Sequence, residues 1–179
     1  MTVENAVVSA VLVDCFYAQQ ADRAAGVRVC GEKPFPAVGQ RVAVTGRVDN
    51  SGPNLTLADS HWSIYPGEPI TVVPIGMNLR NLGGETIQSG SGLNNTGILA
   101  AICGRITEID SAGAYFFIDD GSRVTDNLNS GVNVESDGRA FHVGEFLWIT
   151  GISACYRNDQ GQVARLVRIT NPSSIQPLH

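Results

Sequence analysis

The chain has 179 residues, 43% of them hydrophobic and only 16% charged. That length suits one ordinary domain or two small ones, with enough apolar content to fill a core. No apolar run reaches the ~18 residues of a membrane-spanning helix, and 12 basic against 17 acidic side chains, a net charge of -5, argue against wrapping nucleic acid through its phosphates.

In chain order, strands are predicted at about 6–13, 15–20, 26–30, 40–48 and 54–60. Val42 and Val44 keep the period of two expected of a half-buried strand. Asn50-Ser51-Gly52-Pro53 punctuates the last two strands as a turn. The piece between the third and fourth strands contains Pro34 and Pro36, which exclude a helix of any length. From 65 to 97 runs a stretch with seven glycines, too long for a simple connection. Leu79, Leu82, Ile87 and Leu93 are spaced to pin it to a barrel surface, so an ordered arm is expected. Five further strands follow at about 98–109, 114–119, 131–135, 144–152 and 162–170.

The second set repeats the first. Cys15 to Arg23 shifted by 100 falls on Tyr115 to Arg123. After a five-residue insertion the shift becomes 105, and seven identities fall across the 21 positions from Gly26 to Gly46. They sit at turn glycines and alternating valines, and the insertions fall where loops belong. Five strands, a long first strand and no real helix define a small Greek-key barrel of the OB type. The fold class is therefore all-β: two tandem five-stranded barrels, 1–64 and 98–179, joined by the 65–97 arm.

The four cysteines, Cys15, Cys30, Cys103 and Cys155, form no close ligand pair, so zinc is not expected. In this layout Cys15 and Cys30 lie at the open end of a hairpin. Cys103 on strand one lies within reach of Cys155 just past strand four. Two intradomain disulfides are expected, with an extracellular or cell-surface location. Four reduced, buried thiols are the alternative.

Asn94-Asn95-Thr96-Gly97, Cys103-Gly104-Arg105-Ile106-Thr107, Tyr115-Phe116-Phe117-Ile118-Asp119-Asp120-Gly121-Ser122, Gly131-Val132-Asn133-Val134 and the stretch from Val143 to Ser153, preceded by Gly76 to Gly84, mark the second half. Together they resemble OB modules of large bacterial surface and secreted proteins. The resemblance implies a non-catalytic, extracellular structural or accessory role and supplies no active site.

The chain lacks the Gly-Lys pair of a phosphate loop, the HExxH zinc motif and the GxSxG nucleophile motif. Asp59-Ser60-His61 holds triad residue types, but neighbours on a strand point to opposite faces. No cofactor is expected. Asp119, Asp120 and Asp126 form the one calcium candidate, against an acidic turn capping its own amides. Asn54 and Asn94 fit the glycan-acceptor pattern.

The favoured function is a structural subunit that assembles with itself, as in a filament, or with neighbouring domains of a larger surface protein. Binding of single-stranded nucleic acid or of carbohydrate is the alternative, with Tyr17, Tyr115 and Phe117 as base platforms and Trp62, Trp148 and Tyr156 as sugar platforms. On strand four, Phe146 and Trp148 alternate with core-facing Leu147 and Ile149, so both aromatics should point outward as interface anchors.

Overall fold

The computed structural model describes residues 1–84, 87, 93–126, 129–158 and 160–178. Strands β1 (Thr2–Val11), β2 (Phe16–Gln19), β3 (Gly26–Gly31), β4 (Arg41–Asp49) and β5 (Thr56–Ile64) close a barrel in the order β1-β2-β3-β5-β4. The β3–β5 pairing is parallel and the rest antiparallel, the OB arrangement. A two-residue strand, β6 (Ile75–Gly76), lies in the arm.

The second barrel repeats this order with β7 (Leu99–Ile109), β8 (Tyr115–Asp119), β11 (Val132–Glu135), β12 (Phe146–Arg157) and β13 (Val163–Ile169). A small hairpin, β9 (Thr125–Asp126) with β10 (Asn129–Ser130), occupies the insertion, and β14 (Ile175–Pro177) pairs with the start of β12. In both barrels the long first strand shifts register, between Val8 and Ala10 and between Ile106 and Glu108. One extra residue at such a bulge bends the strand, which lets it pair with strand two on one side and strand four on the other.

The cores follow the period of two. Val42, Val44, Leu147 and Ile149 are all fully buried, each stabilising the fold by about 1.5–3 kcal/mol. Trp62, a predicted sugar platform, instead packs against the first core with its ring edge-on to Phe16 at 5.1 Å.

Part of the arm belongs to the second barrel. β6 runs parallel to β7, and the Met77 amide donates to the Ala101 carbonyl at 3.0 Å. The following 3-10 turn, Leu79–Asn81, is capped by Asn78 and places Leu79 and, just after it, Leu82 fully inside the second core. Ile87 is buried as expected, but Leu93 is 87% exposed and pins nothing.

All four cysteines are free. The expected Cys103–Cys155 bridge is excluded by register. Cys103 lies opposite Trp148, and Cys155 is seven residues further along β12. At about 3.3 Å per residue the separation is roughly 23 Å, far beyond disulfide reach. The misplacement arises because strand four runs on to Arg157 instead of ending near 152. Cys15 and Cys30 are neighbours, because the pairing of Phe16 with Val29 sets them opposite each other at the next step. Their thiols are nevertheless unbonded, and the Cys15 sulfur accepts from Arg28 Nε at 3.2 Å.

Burial pushes the Cys155 thiol up to about 12 and also raises that of Cys15. At pH ~8 a thiol reagent should therefore label at most Cys30 and Cys103 quickly in the native protein and all four cysteines after unfolding. Thiol counting by absorbance checks this. A native count above two would contradict the burial, and a denatured count of two would reveal a Cys15–Cys30 bond.

Asn54 does not suit glycan attachment. Its side-chain amide donates to the Cys155 carbonyl at 2.7 Å and accepts from the Cys155 amide at 2.8 Å. Asn94 is exposed, with its carbonyl oxygen accepting from the amide and the hydroxyl of Thr96.

Candidate ligand-binding face

Strand register assembles one outward face on the second barrel. Cross-strand partners share a face of the sheet, so Glu108, Phe117, Asn133 and Leu166 form a row across β7, β8, β11 and β13. A second row holds Tyr115 opposite Glu135, whose carboxylate pairs with Arg168 Nε at 2.9 Å. Tyr156 and Arg157 at the end of β12, the turn after Ile109 and the turn after Arg157 raise the walls. The half-open cleft has a volume of about 590 Å³, and it lies where OB barrels take oligonucleotides and oligosaccharides.

Three carboxylates (Glu108, Asp110, Glu135) line the cleft against one guanidinium, Arg157. Arg157 Nη1 donates to the Gly161 carbonyl at 3.2 Å. Asp110 accepts from the amides of Ala112 and Ala114, fixing the turn that edges the cleft. Asn133 is only 5% exposed. Its Nδ2 donates to the Tyr156 hydroxyl at 3.4 Å, while its Oδ1 is buried with no protein partner. Such an oxygen costs about 1–3 kcal/mol when nothing fills it.

The corresponding face of the first barrel is closed. By the repeat, Tyr17 stands for Phe117 and Arg28 for Asn133. Ala10, Cys15 and Tyr17 pack against Leu99 and Ile152 of the second barrel, leaving Tyr17 1% exposed. Four further contacts among the described residues hold this junction. Gln19 Oε1 accepts from the Leu99 amide at 2.9 Å, Asn54 clamps Cys155, and Arg168 Nη1 donates to the Tyr17 hydroxyl at 3.4 Å. The fourth is the contact of the Gly26 and Gly97 backbones, so close that a Cβ on Gly97 would stand 2.7 Å from the Gly26 carbonyl carbon.

The expected calcium ligands do not converge. Asp126 is buried in an ion pair with Arg165 at 2.7 Å. Asp120 accepts from the amides of Leu79 and Ser122, both at 2.9 Å. Burial alone would raise the Asp120 carboxyl, but its hydrogen bonds from Ser122 and Leu79 outweigh that and hold it below the ordinary value. These side chains lock the arm to the barrel, and no group of three His, Cys, Asp or Glu suited to a metal occurs among the described residues.

Phe146 and Trp148 point outward, 36% and 41% exposed. Arg105 lies over the Phe146 ring at 6.0 Å. Of the proposed platforms, Tyr115, Phe117 and Tyr156 share the cleft, whereas Tyr17 and Trp62 do not reach it. The sequence reading missed Glu108, Asp110, Asn133 and Glu135. One signal was available: the repeat replaces Arg28 by Asn133 on an otherwise matching strand.

The chain matches no protein-family model, no curated protein and no solved structure. Its class is therefore defined by fold and face: a tandem OB-type barrel protein in which one barrel covers the other and keeps one face open.

Proposed function

We propose that this chain is a carbohydrate-binding module, with the first barrel as a support for the second. The observation that carries this reading is the open cleft with the unpartnered Asn133 oxygen at its floor. Sugars present hydroxyl donors to such acceptors and apolar ring faces to aromatic side chains, here Tyr115 and Phe117. Nucleic acid is disfavoured at this face because its phosphates would meet three carboxylates. A glycan array probed with the full chain tests the reading. Binding should weaken roughly tenfold or more in Tyr115→Ala, a loss of about 1.4 kcal/mol. Retention of an oligonucleotide in place of any glycan would overturn it.

Self-assembly is a second reading, favoured by one observation. Phe146 and Trp148 alternate outward along β12, and Leu178, 44% exposed, donates its amide to the Phe146 carbonyl beside them. Apolar groups left together in water mark contact sites. Sedimentation velocity should detect association that the double variant Phe146→Arg, Trp148→Ala abolishes while each barrel stays folded. A native protein that remains monomeric at high concentration would contradict this.

A further inference from the structure

The carboxylates of the cleft carry the argument from carbohydrate to a particular kind of carbohydrate. Glu108 is exposed at the rim, and Asp110 is held in its turn by two backbone amides. Glu135 has Arg168 as its counter-charge, whereas neither Glu108 nor Asp110 has a basic partner among the described ion pairs. Lys33, the only lysine of the chain, is in the first barrel. At the floor, Asn133 Oδ1 is a second, independent demand for a donor, because it is buried and unfilled. The lining thus offers acceptors and negative charge together with aromatic faces. A neutral sugar satisfies the oxygen and the rings but not the charge. A phosphorylated, sulfated or uronic-acid sugar is repelled. A sugar bearing an ammonium group satisfies all three.

We infer that the cleft binds a glycan with free amino groups, a glucosamine-type oligomer. Asn133 accepts a hydrogen bond from the innermost sugar, Tyr115 and Phe117 pack on its ring, and Glu108 and Asp110 face its ammonium groups. This rests on the carbohydrate reading above and adds the charge of the ligand to it. The amine must be protonated to meet the carboxylates, so affinity falls as pH rises through the amine's own titration and as salt screens the pair.

The test is calorimetric titration of the full chain with a β-1,4-linked glucosamine tetramer, its fully N-acetylated counterpart and a pentalysine peptide. The free-amine tetramer should bind at least roughly tenfold more tightly than the acetylated one. Glu108→Gln, a change at an exposed position, should narrow that difference several-fold. Asn133→Leu, which keeps the protein's charge, should weaken both sugars.

Equal affinity for the two tetramers overturns the amine inference and leaves the carbohydrate reading standing. Undiminished free-amine binding in both variants means diffuse attraction to an acidic protein and overturns the inference. Binding of pentalysine without either sugar, or of none of the three, overturns the carbohydrate reading with it.

Discussion

Replacing Arg165 by methionine is expected to destabilise the chain by about 3–5 kcal/mol, because the Asp126 carboxylate would then be buried without its partner. Arg165 is 2% exposed, and Nη1 reaches Asp126 Oδ1 at 2.7 Å. Its Nε and Nη2 donate to the carbonyls of Leu82 and Arg80. The guanidinium therefore ties β13 to the β9 hairpin and to the arm that delivers Leu79 and Leu82 to the core. The loss should come with partial release of the arm, seen as proteolysis near Arg80. Urea denaturation measures the energy. Removing both charges, Arg165→Met with Asp126→Leu, should recover much of it, since an apolar pair in place of a buried ion pair is often near neutral. A single variant within 1 kcal/mol of the parent, on the order of a surface pair, would mean that the ion pair holds nothing.

The second large effect is expected at the junction. Gly97 has φ of +84°, a left-handed conformation that a β-branched residue adopts only under strain. A Cβ there would also stand 2.7 Å from the Gly26 backbone, which cannot move aside as a side chain can. Strain and overpacking each cost about 1–3 kcal/mol, so Gly97→Val should lose about 2–6 kcal/mol and push the barrels apart. A Cβ at Gly52 meets nothing within 4 Å, and Gly52→Ala should change little. Thermal unfolding compares the two. A Gly97→Val protein as stable as Gly52→Ala would show that the barrels are not packed through these glycines.

The two barrels were legible because their cores are one-sided. Val42 and Val44, or Leu147 and Ile149, alternate with solvent-facing or half-buried neighbours, and that alternation is visible in a string of letters. The end of β12 was not legible for the opposite reason. From Gly151 to Cys155 every residue is buried, the face of Gly151 and Ser153 against Val167 of the second core and the arm, the face of Ile152 against the first barrel. With both faces covered the alternation disappears, so strand four seemed to stop early and Cys155 was misplaced. The cleft was hidden for a third reason. Glu108, Phe117, Asn133 and Leu166 are scattered over four strands, and only the register brings them into one row. The outward aromatics Phe146 and Trp148 were found because both lie on a single strand.

The junction also gives the second barrel two amides whose acceptors are not its own. The Leu99 amide donates to Gln19, 80 residues earlier, and the Cys155 amide to Asn54, 101 residues earlier. Contacts over such separations close large loops and form after the local pairings inside each barrel. Docking is therefore a late step of folding, and undocking its earliest partial reversal. Hydrogen exchange distinguishes the two levels. Ile149, paired with Ile102 inside the second barrel, lies in a core that opens only with that barrel. The amides of Leu99 and Cys155 exchange whenever the barrels part, so their protection measures the free energy of the junction alone.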